Sequence, residues 1–257
     1  MRRRGNWKIR IAIGLCIVAF AFWKKCMNTE TNPYTGKEQV ISMNSDEEIA
    51  IGLSSKAQMI QIYKGIYLDQ ELQDYVDMVG EDLVNKMKLP VDHPYKFEFY
   101  LLGDTETINA FALPGGQVFI TYALFSKLEN IDQLAGVLGH EIGHVLGRHS
   151  AERIAETEFW QTVSQGASVG ADAGGIVAGI GQNVLLGNGR GDELESDELG
   201  VRFMMDAGYD PFEMIGVMEI LKKAAGASSV PEFQSTHPDP DNRIEKIKEA
   251  IENYKNN

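Results

Sequence analysis

The segment Val137-Leu138-Gly139-His140-Glu141-Ile142-Gly143-His144-Val145-Leu146-Gly147 sets a His-Glu-x-x-His pattern inside an apolar run with helical periodicity. Two imidazoles four residues apart lie about 40° apart around a helix, so both reach one cation while Glu141 stands beside them. Zinc suits that geometry, since it takes nitrogen at about 2.0–2.1 Å, a third protein ligand and an open fourth position. A plain alternative is a helix with two partly exposed histidines and a solvated glutamate. A third ligand and an element able to hold substrate would dismiss it.

Cys16 and Cys26 are the two cysteines, and both precede the folded part. No disulfide framework or thiolate site is available, so a metal must be held by histidine and carboxylate. Beyond His144 the candidates are the carboxylates between Asp192 and Glu198, and His237. Glu193 and Asp197 are four residues apart on one helix face, so one can ligate while the other accepts from the free N–H of a ligand imidazole. Glu195 and Glu198 read as a solvated face. His149 falls nine residues after His140, which turns it away from the metal if the helix continues and leaves it either a histidine that supports a ligand from behind or a surface one,.

The first ten residues include Arg2, Arg3, Arg4, Lys8 and Arg10, and Ile11 to Trp23 is a run of thirteen without a charge. That is short for a span of about 20 residues and fits a signal core, whereas Trp7 and Trp23 bracket it like interfacial anchors. Residues 1–25 therefore read as a membrane anchor or a signal peptide. The excess of basic residues before the run sets the N-terminus in the cytoplasm and the body outside it, on the periplasmic side. From residue 26 onward 17 basic residues face 37 acidic ones, a balance that repels nucleic acid and excludes it as a partner,.

Residues 26–44 read as a linker with a turn at Asn32-Pro33-Tyr34-Thr35-Gly36, and 45–257 as one domain,. A capping box from Ser45 to Glu48 opens a helix with Ile49, Leu53, Ala57 and Ile60 on one face. A second helix runs from Gln70 to Lys88, with Leu72, Tyr75, Val79, Leu83 and Met87 inward. Tyr95–Leu102 is a strand, and Ile108–Thr121 is a hairpin around Pro114-Gly115-Gly116 whose edge can take an extended peptide as a further strand. The metal helix follows, capped by Asn130. From Gln165 to Gly191 nine of 27 residues are glycine, which suits either a mobile cover that touches the site or a membrane, or a tightly packed helix pair,. Helices from Asp192, from Asp210-Pro211 and from Asp241 complete the chain, the last after a rigid loop at Ser235–Pro240. The order of scaffold, sheet, metal helix and ligand helix defines an α+β fold, mostly helical with a small mixed sheet.

Four stretches in this order, Asn109-Ala110-Phe111-Ala112-Leu113-Pro114-Gly115-Gly116, His140-Glu141-Ile142-Gly143-His144, Glu193-Leu194-Glu195-Ser196-Asp197 and Thr236-His237-Pro238, resemble the HtpX, BepA, LoiP and prenyl-protein (CAAX) endoprotease family of zinc metallopeptidases. The resemblance covers roughly residues 45 to 250 and is closer to single-span members than to multi-span ones. It implies a zincin-like domain of the gluzincin type, with one zinc per subunit and Glu193 as third ligand beside His140 and His144. It further implies Asp197 as support for the site, Asn109, Ala110, Phe111 and Ala112 as the substrate-holding edge, and His237 as a residue that steadies the oxyanion or blocks the open position at rest. Glu141 is then the general base of an endopeptidase that cuts protein substrates, misfolded or membrane-associated, outside the cytoplasm. The chain departs from the family in lacking a lipid-attachment box and in having Ser196 where alanine is commoner.

Two other readings compete. In a metzincin-like site, for which Gly147 is suitably placed, the third histidine belongs at residue 150, which is Ser150, and His149 is one residue early,. Alternatively the chain is a chaperone-like, client-binding module with a latent zinc centre.

Overall fold

Capping residues and apolar periodicity divide the chain, in order, into α1 (Trp7–Met27), β1 (Thr29–Thr31), β2 (Glu38–Val40), α2 (Ser45–Ile62), α3 (Gln70–Lys86), β3 (Glu98–Leu102), β4 (Ala110–Ala112), β5 (Gln117–Thr121), α4 (Tyr122–Phe125), α5 (Ile131–Leu146), α6 (His149–Ala171), α7 (Gly174–Ala207), α8 (Glu213–Ala225) and α9 (Arg243–Lys255). The computed structural model describes residues 7–90, 92–171, 173–225, 233, 237 and 242–256. The α+β, mostly helical architecture is the expected one. Two compact units emerge, residues 44–149 with 189–257, and residues 1–43 with 150–188. The stretch 150–188, read from sequence as part of the main domain, thus groups with the N-terminal residues.

In the unit that carries residues 44–149, the three-stranded sheet has the order β3-β5-β4 and is mixed, with β3 parallel and β4 antiparallel to β5. The hairpin turns on Gly115 and Gly116, whose φ values of 93° and 114° suit glycine alone,. Tyr100, Phe119 and Phe111 are direct cross-strand partners, and their rings stack at 5.0 and 4.9 Å,. Tyr63, which caps α2, packs on Phe111 at 5.1 Å and closes this face. Residues of alternate parity, Leu101, Ile120 and Ala110, are fully buried toward the other face, which α3 and α5 cover,.

Helix α2 departs from its expected register. Its capping box is Asn44 with Glu47, one residue earlier than Ser45 with Glu48: Asn44 Oδ1 accepts from Glu47 N at 3.0 Å and Glu47 Oε2 accepts from Asn44 N at 2.8 Å,. Glu48 is thereby freed to turn inward, where it pairs with Arg148 and accepts from the Tyr95 hydroxyl. The buried stripe follows Glu48, Gly52 and Tyr63, and Leu53 is 51% exposed instead of facing the core. Gly52 fixes this, because a Cβ there would stand 1.9 Å from Pro114 O.

In the other unit, the stretch read as a linker contains the antiparallel pair β1–β2. The glycine-rich stretch is helical up to Ala171 and again from Gly174, and Gly166 and Gly170 lie against α1: a Cβ on Gly14 would come within 2.5 Å of Gly166 O. Ala21, Phe159 and Val163 form the local core, and Lys24 pairs with Glu158 at 2.9 Å. No helix among the described residues is long and apolar enough to cross a membrane. Residues 1–6, with three of the basic residues counted above, lie outside the described residues, as does the Ser235–Pro240 loop apart from His237.

Candidate metal centre

Helix α5 begins where Asn130 Oδ1 accepts from Gln133 N at 2.9 Å,. From Gln133 to Leu146 all of its residues except His144 are buried. The apolar run therefore carries His140, 3% exposed, and Glu141, 1% exposed, into the interior, where polar groups need partners,. α7 supplies them by approaching very closely. A Cβ on Gly143 would lie 3.0 Å from both Ser196 Cα and Ser196 O, and one on Gly139 would lie 3.4 Å from Gly200 Cα. That proximity delivers Glu193 and Asp197, one helical turn apart, to the two imidazoles.

Four residues converge: ligand atoms of His140, His144, Glu193 and His237 all lie within 4.8 Å of one another. His140 Nε2 stands 3.1 Å from His144 Nε2, 3.3 Å from Glu193 Oε2 and 3.4 Å from His237 Nδ1. Glu193 Oε1 stands 3.3 Å from His144 Nε2 and 3.1 Å from His237 Nδ1. Four donors bound tetrahedrally to zinc at about 2.0–2.1 Å would be separated by about 3.4 Å, so the spacing fits a single ion.

The outward nitrogens tell the same story. His140 Nδ1 donates to Asp197 Oδ1 at 2.8 Å, and His237 Nε2 donates to Ala110 O at 3.3 Å. Each of these rings then turns a bare nitrogen inward, toward other lone pairs, an arrangement that needs a cation or a proton between them. Charge agrees as well. Glu141, Glu193 and Asp197 are buried with, among the described residues, one buried guanidinium, Arg243, and with the imidazoles neutral, as metal ligands must be, two negative charges are left over,. A divalent cation would cancel them, and the nitrogen and carboxylate donors are those that zinc accepts.

The protonation equilibria follow from the same contacts. Burial disfavours charge on His140, but Asp197 and Glu193 outweigh it and raise its pKa to about 9,. Burial holds His144 well below the usual histidine value. Glu193 lies far below the usual carboxylate range, because His140, His144 and His237 overcome its burial. Asp197 is likewise lowered against burial by Arg243 and His140. Glu141 is the exception: burial pushes its carboxyl upward, and neither carboxylate oxygen has a hydrogen-bond partner among the described residues. His237 Nε2 is the near group, 3.5 Å from Glu141 Oε1.

Around the cluster the structure adds to and amends the sequence reading. Asn109 is buried, and its Nδ2 donates to the Tyr63 hydroxyl at 3.0 Å, so its side chain braces β4. Phe111 turns to the aromatic face, and Ala110 brings its carbonyl to His237. His149 does not lie round the far side of α5. The helix stops at Gly147, and His149 comes back under His144, with Nδ1 2.9 Å from His144 Nδ1. Glu195 is no solvated residue either, since it is 13% exposed and faces His149 Nε2 at 3.3 Å, whereas Glu198 is exposed as expected. Arg243 joins the cluster without a mark of its own in the sequence. Three carboxylates expected in one buried place were the signal that a cationic side chain must join them.

A His-Glu-x-x-His helix, a glutamate from a second helix one turn before an aspartate, and an edge strand alongside define a zincin-like metallopeptidase domain. Residues 70–251 match the family described as Peptidase family M48, and the chain belongs to that family. It is 31% identical over 229 residues to the beta-barrel assembly-enhancing protease of Yersinia pestis, covering 82% of this chain and 45% of that protein. The counterpart in Escherichia coli (strain K12) is 33% identical over 193 residues, 68% of this chain and 38% of its own length. The mitochondrial metalloendopeptidase OMA1 of Schizosaccharomyces pombe is 36% identical over 159 residues, covering 61% and 47%. The chain spans less than half the length of these three relatives.

Proposed function

We propose that the chain is a zinc-dependent endopeptidase of protein substrates, with one zinc held by His140, His144 and Glu193 and with Glu141 as general base. The observation that carries this reading is the convergence of those donors beside a buried carboxylate that has no hydrogen-bond partner among the described residues. A divalent cation in the cluster supplies a Lewis acid that polarises a carbonyl and acidifies water. Glu141, its proton affinity raised by burial, takes the proton of the attacking water and returns it to the leaving amine,. Asp197 keeps His140 in the tautomer that presents Nε2,.

Substrate would lie along β4. Thr121 N donates to Asn109 O and Leu113 N to Gln117 O, so Asn109 and Leu113 face β5. By alternation Ala110 and Ala112 present their N–H and C=O groups at the open edge, where an extended peptide can pair. His237 stands on that edge and at the fourth corner of the cluster, which suits a resting state that substrate must displace.

Glu141→Gln should keep zinc and fold yet lose hydrolysis of casein or another unfolded protein by at least about 100-fold. Full cleavage by that variant would overturn the assignment. The same position of His237 gives some support to a client-binding module with a latent zinc centre. Zinc-loaded protein that holds unfolded clients without cutting them, even as His237→Ala, would favour it. We also place the body outside the cytoplasm, acting on misfolded or membrane-associated proteins, on the charge asymmetry about Ile11–Trp23 and the exposed Trp7 and Trp23,.

A further inference from the structure

The geometry points to His149 as a positioning residue that fixes the tautomer of His144, an inference that rests on the metal-site reading above. α5 ends at Gly147, and Arg148 then adopts left-handed backbone at φ 56°, a conformation that L residues avoid,. A buried ion pair holds it there: Arg148 Nε donates to Glu48 Oε1 at 2.8 Å, and Glu48 also accepts from the Tyr95 hydroxyl. The reversal folds His149, 4% exposed, back against His144 with the ring planes 81° apart.

Two imidazole nitrogens 2.9 Å apart share one hydrogen, and its position has consequences,. His144 Nε2 faces Glu193 Oε1 and His140 Nε2, where a ligand nitrogen must be bare. The hydrogen of His144 therefore sits on Nδ1 and is donated to His149 Nδ1. His149 in turn carries its own hydrogen on Nε2, directed at Glu195 Oε2, 3.3 Å away. The Ser196 hydroxyl, 3.3 Å from the same Nδ1, can donate to that lone pair too. The opposite polarity would protonate His144 Nε2 and remove it as a donor. The two ligand histidines are thus supported differently: His140 by a carboxylate that a guanidinium backs, His144 by a second imidazole.

The test uses the full chain, with zinc stoichiometry measured first; wild type that holds no stoichiometric zinc would sink the metal-site reading itself. On zinc-loaded wild type, long-range 1H–15N spectra should show His144 protonated at Nδ1 and His149 as the neutral Nε2–H tautomer. His149 protonated at Nδ1 would overturn the inference, and this readout needs no variant to fold. By competition against a chelator, His149→Leu should weaken zinc binding about 10- to 100-fold. His149→Asn, whose Oδ1 stands where Nδ1 stood, should recover most of the loss. Wild-type affinity in the leucine variant, or no recovery in the asparagine variant, would contradict the assigned role while leaving the metal site standing.

Discussion

Arg243 grips Asp197 with two hydrogen bonds, Nε to Oδ2 at 2.6 Å and Nη2 to Oδ1 at 2.9 Å, and both side chains are buried. The first residue of α9 thereby supports the residue that supports His140. Removing one partner of such a pair strands the other charge in the interior, so Arg243→Leu should cost about 3–5 kcal/mol. Asp197→Asn in the same chain should recover part of that loss, and lysine should substitute poorly for the bidentate fork. Chemical denaturation of the single and double variants decides it, and strictly additive losses would show the pair uncoupled.

The close approach of α5 and α7 makes Gly143 a second point of sensitivity. Alanine there sets its Cβ 3.0 Å from the Ser196 backbone, so the helices must part. Gly143→Ala should lose about 1–3 kcal/mol of stability. Zinc affinity should fall by about tenfold as well, because Glu193 and Asp197 ride on the displaced helix. A variant that melts and binds zinc like wild type would show that the spacing is not needed.

A third prediction concerns acid. Asp104 shapes the loop that leads into β4, accepting from Glu106 N at 2.9 Å, Thr107 N at 3.2 Å and Lys64 Nζ at 2.8 Å. Burial opposes ionisation, yet Lys64, Thr107 and these N–H groups hold the carboxyl well below the usual range,. A depressed pKa stabilises the fold above the unfolded value of about 3.9, and that contribution is lost as pH falls through the folded value. Asp104→Asn should therefore be less stable than wild type by about 1–2 kcal/mol at pH 7, with the gap closing below about pH 4. Urea titrations at the two pH values check this, and a gap that widens in acid would refute it.

The sequence made the chemistry more readable than the packing. His140 and His144 announce themselves because metal ligands need fixed types at fixed spacing, whereas Glu193 is singled out among the carboxylates of its helix by the family resemblance; the hairpin is legible because Pro114-Gly115-Gly116 has few other uses. The face of α2 was not readable: Glu48 looks like a capping residue until Arg148 is brought to it from 100 positions away. His149 shows a similar limit, since nine residues of helix would send it away and only the left-handed turn at Arg148 returns it. Arg243, at the start of a polar helix, carries no local mark of burial. In each case a long-range ion pair overrode local periodicity.

X-ray absorption at the zinc edge of the zinc-loaded chain tests the central claim most directly. The account predicts one ion per chain with nitrogen and oxygen at about 2.0–2.1 Å, outer-shell scattering from at least two imidazoles, and a loss of the ordered site in Glu193→Ala. An unchanged first shell in that variant, or a chain that binds no zinc at stoichiometric levels, would contradict it.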